Sequence, residues 1–305
     1  MCIGATLVDE LYFCEQNCIP HTSNPAVKTT SIGGVISNIA QHLGLLNLNP
    51  SLITALGNDA DAAFITNSLQ QKGISLQASI QATDSTGKYV SILNPDGNLV
   101  VAVCQDISIK YLTPALLATK ASYIKDFDLL IVDANIPADS IQWLIDIART
   151  HGQKIIIEPV SVAKAGKLAA LNLEGVYMIT PNEDELVALA GIETSDEQEL
   201  VAHLFDRGVQ QVWIRKGAAG SVIHRPEQSL TLGVPTITIL DSTGAGDAAL
   251  AGWICGYMQG ENEKTCLQLA HSLALEVLQI KGAVVETISS DLLRTIKNKY
   301  YHESI

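Results

Sequence analysis

The chain has 305 residues, 47% of them hydrophobic, which is enough for one large unit with its own core. Acids outnumber bases, 32 Asp and Glu against 19 Lys and Arg, for a formal charge of −13. With no basic run, a nucleic-acid backbone is excluded as partner, because phosphate polymers require clustered cations; a small-molecule ligand is expected instead.

The opening "CIGATLV" predicts a buried strand ending at Asp9, and "GGVISNIAQHLGLL" predicts a helix, since Ile36, Ile39, Ala40 and Leu43 recur at helical spacing. "SLITALG" followed by "DADAAFITNSLQQKG" repeats strand and helix and stops at Gly73. "GKYVSILNPDGNLVVAVCQ" departs from this pattern. Its two β-rich runs flank Asn94-Pro95-Asp96-Gly97, a hairpin turn signal, so an antiparallel ribbon is expected there. From Asp128 the alternation resumes through "DLLIVDA", "PADSIQWLIDIARTHG", "KIIIEPV", "GVYMIT", "NEDELVALAG", "DEQELVAHLFDRG" and "QQVWIRKG". Three helices follow, over 244–257, 263–278 and 290–299. Repeated strand and helix units predict an α/β fold, a mostly parallel sheet with helices on both faces. One unit over 1–305 is expected, with a small β lid from about 10–30 and 85–105. The lid's exposed ribbon edges are open to pairing in a homodimer.

Six scattered cysteines (Cys2, Cys14, Cys18, Cys104, Cys255, Cys266) show no C-x-x-C or zinc spacing, so reduced thiols in a cytoplasmic compartment are expected. Cys14 and Cys18 read as small apolar residues rather than as a metal or disulfide pair. The segment "MCIGATLVDE" lacks the basic start and length of an export signal, and no run approaches the ~20 apolar residues of a membrane helix.

The chemistry concentrates in "TITILDSTGAGDAALAGW". Thr236, Thr238 and Leu240 alternate with Ile237 and Ile239 as in a strand, and the run from Ala245 is apolar on nearly every face, as in a buried helix. Gly244, Ala245 and Gly246 leave backbone N–H groups unobstructed at that helix's N-terminus, where about half a positive charge gathers. An anion site results. Gly244-x-Gly246-x-x-Ala249 formally fits a dinucleotide fingerprint. Asp247 argues against a resident pyrophosphate, since like charges ~4 Å apart repel by about 4 kcal/mol at an effective dielectric of 20. The following acids, Glu261 and Glu263, also open a helix where a ribose contact should end a strand. No G-x-x-x-x-G-K-[ST] occurs, which excludes a P-loop NTPase. A transient anion uses every part: the amides of 244–247 stabilise a phosphoryl group in flight while Asp247 takes the proton of the attacking hydroxyl. As a mere complement to the helix dipole, Asp247 would contribute only ~0.5 kcal/mol.

"DSTGAGDAALAG" resembles the C-terminal signature of the ribokinase-like (PfkB-type) sugar and nucleoside kinases, D-T-x-G-A-G-D, with Ser242 in place of the usual Thr. "SIGGVISNIAQHLGLL" is similar to the same family's N-terminal signature, and "TPNEDEL" resembles its N-x-x-E motif. Within the family, "STGKYVSILNPDGNLVVAVCQDISI", "LTPALL" and "DANIPADSIQWLIDIARTHGQKIIIEPVSVAKAGKL" are most similar to the pseudouridine kinase subfamily, "EPVSVAKA" being the most specific piece. Gly4-Ala5-Thr6-Leu7 departs from the usual Gly-Gly-Ala-Asn, and Ala249 replaces a common Phe.

The resemblance implies a ribokinase-like three-layer sandwich with a β lid, and ATP- and Mg²⁺-dependent phosphorylation of the 5′-hydroxyl of pseudouridine. Ribose, adenosine or 2-keto-3-deoxygluconate would be the alternative acceptors. A non-catalytic sugar- or nucleotide-binding regulator is the competing class, and the intact Asp247 counts against it. By matching positions, Asp247 is the base, and Gly244, Ala245 and Gly246 form the anion hole. Asp9, Gly33, Gly34 and Asn38 hold the sugar, and Asn182, Lys216, Gly217, Thr243, Lys281, Gly282 and Ala283 border ATP. Glu185 organises Mg²⁺ through water. Asp241, with Thr243, lies near a monovalent-cation position, and the sequence leaves open whether this chain takes K⁺. From the residues alone, Asn38 reads as a helix-surface residue, Asp9 as a strand-end turn residue, and Glu185 as an acid complementing a helix dipole. Both KGA segments then read as plain turns, and Lys164 as either a phosphate contact or a solvated cation.

Overall fold

In the computed structural model, residues 1–301 are described, so the last residues of the expected 1–305 unit lie outside them. The chain enters through β1 (Cys2–Ile3), then runs into two long strands, β2 (Leu7–Cys14) and β3 (Ala26–Gly33), and helix α1 (Val35–Leu45). Short strands β4 (Leu52–Ile53) and β5 (Ala55–Leu56) precede α2 (Ala60–Gln71), and β6 (Ile80–Gln81) pairs in parallel with β5. The hairpin of β7 (Lys88–Leu93) and β8 (Leu99–Gln105) follows. Next come β9 (Leu129–Asp133), α3 (Ala138–His151), β10 (Lys154–Glu158) and β11 (Met178–Ile179). After α4 (Glu183–Ala190) and α5 (Glu197–Asp206), strands β12 (Val212–Arg215), β13 (Ser221–Arg225) and β14 (Gln228–Leu232) close the sheet. The chain then turns helical in α6 (Ala245–Met258), α7 (Glu263–Val277) and α8 (Ser290–Tyr300).

The main sheet has the order β14-β13-β12-β11-β10-β9-β1-β4, parallel from β4 to β12 and antiparallel at the β12–β13–β14 edge. Side chains alternate across it, as a pleated strand requires. Leu130, Val132, Ile155 and Ile157 pack with α3, α4 and α5 on one face. Ile131, Ile156, Met178 and Trp213 pack with α1, α2, α6 and α7 on the other. Three layers result. A second sheet, β3-β2-β7-β8, stands apart as a lid; β2 pairs antiparallel with β3 but parallel with β7. Its outer strands carry exposed Val27, Leu99, Val101 and Val103.

Two expectations are corrected. The predicted first strand is broken: β1 belongs to the main sheet and β2 to the lid. Gly4 lies at the break, where a Cβ would stand 2.5 Å from the Asp133 carboxyl. The strand predicted over 236–240 does not form either; this stretch has no ladder partner among the described residues. Its amides at Leu240 and Asp241 instead reach the carbonyl of Leu278, at 2.8 and 3.4 Å, because β14 already forms the sheet edge.

Candidate active site

Strand order reverses at β1, with β4 on one side and β9 on the other, and in open α/β sheets ligands bind beyond the carboxyl ends of strands at such a point. Four charged side chains gather there. Asp133 ends β9, Glu158 ends β10, Arg215 ends β12, and Asp247 lies in the first turn of α6. Motif reading found Asp247 and missed the other three.

Helix α6 begins on Gly244, held at φ 75°, and has no side-chain cap. Its amide at Ala248 bonds Gly244 O at 2.9 Å, so the N–H groups of Gly246 and Asp247 belong to the first turn that has no intrahelical acceptor. These bare amides lie where the sequence leads one to expect an anion hole. Asp247 is 8% exposed, and its Oδ2 accepts from Asn38 Nδ2 at 2.8 Å. Burial pushes its carboxyl up to about 7; the Asn38 bond and Arg215 pull the other way, while Glu158 and Asp133 add to the rise.

Asn38 is buried in α1, which overturns the surface reading, and its Oδ1 is a buried acceptor without a partner among the described residues. It links the start of α1 to Asp247. Gly33 and Gly34 lead into that helix. A Cβ on Gly33 would stand 2.3 Å from both Asp9 carboxylate oxygens, and Gly34 holds φ 102° beside Ala5 O. Asp9 sits where β2 enters the lid, and burial raises its carboxyl to about 6. The floor below is Asp133, fully buried, accepting from the amides of Ala5, Ile36 and Asn135 at 3.3, 3.4 and 3.0 Å. Burial pushes it too to about 6, against the pull of the Asn135 bonds.

On the opposite side, Glu158 accepts from Thr180 Oγ1 at 2.6 Å and from Arg215 Nη2 at 2.8 Å. Two residues on, Val160 adopts φ 73° and Ser161 N reaches Pro159 O at 2.9 Å. A β-branched residue at positive φ stores strain, and the tight turn ends the strand directly after the glutamate. Glu185 forms a reciprocal capping box with Asn182, both bonds 2.9 Å, and lies 3.7 Å from Arg215 Nη2. Burial raises its carboxyl, opposed by the Asn182 amide. Glu185 thus lies in the first turn of α4, where the dipole reading put it, and its capping bond uses Oε2, leaving Oε1 outside the box.

The expected nucleotide residues divide. Asp241 accepts from Thr243 N, Thr243 Oγ1 and Gly282 N at 2.9, 2.7 and 3.0 Å, tying the two loops together. Burial alone would raise that carboxyl, but the amides of Thr243 and Gly282 hold it below its usual range. A monovalent cation would share a carboxylate already in use. Ala283 packs against Gly244, whose Cβ would stand 2.5 Å away, while Lys281 and Gly282 are exposed. Lys216 turns aside to Glu197, 2.6 Å from its Oε2, and Gly217 is exposed at φ 53°. A cleft of about 720 Å³ between α2 and the β5–β6 pair shares no residue with this constellation. No group of three or more His, Cys, Asp or Glu converges as a metal cage among the described residues. None of their helices is long and apolar enough to cross a membrane.

Comparison with known proteins agrees with this geometry. A family model described as pfkB family carbohydrate kinase matches residues 1–288. The pseudouridine kinase of Escherichia coli is 27% identical over 85% of this chain and 83% of its own length. A bifunctional ribokinase/ribose-5-phosphate isomerase A from Fructilactobacillus sanfranciscensis is 28% identical over 92% of this chain, which spans only 53% of that protein. Among solved structures, a carbohydrate kinase from Agrobacterium tumefaciens has a TM-score of 0.85 at 26% identity, covering 98% of this chain and 96% of that one. Arabidopsis thaliana ribokinase complexed with ribose and ATP has a TM-score of 0.84 at 21% identity and 97% coverage of each, a likeness of fold.

Proposed function

The chain belongs to the pfkB family of carbohydrate kinases, phosphotransferases acting on sugar hydroxyls, and from that premise we propose that it transfers the γ-phosphoryl group of ATP to the 5′-hydroxyl of pseudouridine. One observation carries the chemistry: a buried carboxylate, Asp247, held by Asn38 beside the uncapped N-terminus of α6. When bound, Mg²⁺ and ATP supply the phosphoryl group and the metal charge that neutralises its oxygens. Asp247 accepts the hydroxyl's proton as the oxygen attacks, and the amides of Gly246 and Asp247 meet the charge that builds on the phosphoryl oxygens. Asp9, Gly33, Gly34 and Asn38 orient the sugar, and the lid excludes the water that would otherwise accept the group. Mg²⁺ bound with nucleotide keeps several waters and needs only one or two carboxylates, which suits Glu185 with its oxygen outside the capping box.

The choice of acceptor rests on "EPVSVAKA" and on the E. coli pseudouridine kinase among the relatives. Incubation of the protein with ATP, Mg²⁺ and a panel of pseudouridine, uridine, adenosine, ribose and 2-keto-3-deoxygluconate, with ADP release as readout, should give the highest kcat/KM for pseudouridine. Preference for ribose or adenosine would reject the acceptor, and ligand binding without turnover would favour the regulator. The lid's apolar outer strands suit pairing of two copies, and light scattering should give twice the 32.6 kDa chain mass. A monomer at micromolar concentration would remove the pairing.

A further inference from the structure

Arg215 occupies the last position of β12, clamped there by its amide, which bonds Pro181 O at 2.9 Å. Its guanidinium reaches two ways. Nη2 bonds Glu158 Oε1 at 2.8 Å and lies 3.7 Å from Glu185 Oε2. Nη1 faces the start of α6, so close that a Cβ on Gly246 would stand 2.4 Å from it. Gly246 is thus bare where a cation fills the space. The side chain is 16% exposed, so its charge acts in a partly water-excluded place.

A guanidinium that only neutralised Glu158 would do so best as a fork, with two parallel bonds to the carboxylate. Here one nitrogen is spent on Glu158 and the other is turned to the N-terminus of a helix, itself the positive end of the peptide dipoles. Two positive features face one another, and the arrangement becomes favourable when an anion comes between them. Asp247 feels the charge of Arg215 but does not fill that place: the ion-pair partners of Arg215 are Glu158 and Glu185, and the Oδ2 of Asp247 is held by Asn38.

We propose that Arg215 is a further catalytic residue: its Nη1 meets the equatorial oxygens of the phosphoryl group as that group crosses the first turn of α6. This rests on the phosphotransfer reading above. In the step, a bond forms between the acceptor oxygen and phosphorus, and the bond from phosphorus to the departing ADP oxygen breaks. The hydroxyl's proton goes to Asp247, and Arg215 exchanges none. Its contribution is charge placed where the transition state spreads its own, held in position beforehand by Glu158. Lysine cannot take the part, because a single ammonium reaches Glu158 or the phosphoryl oxygens but lacks the planar fork that spans both.

The test uses the full chain with Arg215→Lys, which keeps an ion pair to Glu158, and Arg215→Met. With the acceptor that the wild type uses best, both should lose roughly 10²-fold in kcat with KM for ATP changed less than about threefold. Thermal melts of Arg215→Lys should stay near wild type. Titration with ADP plus aluminium fluoride, a stand-in for the phosphoryl group in flight, should weaken about as much as kcat falls, while ADP alone binds unchanged. Wild-type kcat in folded Arg215→Met, or wild-type affinity of both variants for ADP with aluminium fluoride, would overturn the assignment. So would a loss confined to KM or one that tracks melting temperature. A wild type that phosphorylates no acceptor would instead overturn the kinase reading and this proposal with it.

Discussion

Asp247→Ala lowers kcat by roughly 10²–10⁴-fold, the range of a general base, with ATP affinity little changed. The reason lies in its position: the carboxylate is buried in the first turn of α6, beside the bare helix amides, and aimed by a 2.8 Å bond from Asn38. The pH profile follows from its raised pKa. Below about 7 the carboxyl is protonated and cannot accept the hydroxyl's proton, so kcat climbs as pH rises through about 7 and levels above it. Stability moves oppositely. The folded chain holds this proton more tightly than the unfolded one, so burial of Asp247 costs stability progressively as pH rises from the ordinary carboxylate range through 7. At pH 8, Asp247→Asn therefore melts a few degrees higher than wild type while remaining nearly inactive. Steady-state kinetics from pH 5.5 to 9, on a scale of about half a unit, together with thermal melts, read both effects; wild-type turnover in either variant removes Asp247 from the chemistry.

Gly244→Val lowers kcat by about 10³-fold and raises KM for ATP, because two losses coincide. The residue sits at φ 75°, which a β-branched side chain resists, and its Cβ would meet Ala283 Cβ at 2.5 Å, Cα at 2.7 Å and O at 2.8 Å. Two of those atoms are backbone and cannot swing aside. Relief must come from moving the start of α6 or the 282–283 loop, and a shift of about 1 Å in donors aimed at a reacting group costs on the order of 10²-fold. Asp241 binds Thr243 and Gly282 together, so either shift also loosens the edge of the nucleotide site. The variant's melting temperature falls as well, and turnover near wild type in a folded Gly244→Val would show that the hole is not built from these amides.

The layered sheet was legible because its strands are short apolar runs set between amphipathic helices, as in "LLIVD" and "KIIIE". Asp247 and the glycines before it were legible as a local motif. Asn38 was legible only through the resemblance, since from the residues alone nothing in its helix reveals that α6 will cover it. Arg215, Glu158 and Asp133 escaped because their meaning is non-local: three strand ends far apart in sequence meet only once the sheet is assembled. A signal was nonetheless available. Each is a charged residue closing an otherwise apolar strand, in "IVD", "IIE" and "WIR", which is where an open α/β sheet presents its ligand face. The 236–240 stretch failed as a strand for the converse reason, since alternation describes a side-chain pattern and says nothing of whether a hydrogen-bonding edge is free.

The amide bridge between Asn38 and Asp247 also limits how such a protein can be re-engineered. On the proposed mechanism, remodelling the first turn of α1 to broaden its diet would slacken the proposed base, trading selectivity for speed. Directed evolution toward new alcohols should accordingly concentrate its useful changes in the lid strands β2, β7 and β8, which carry no bond to Asp247.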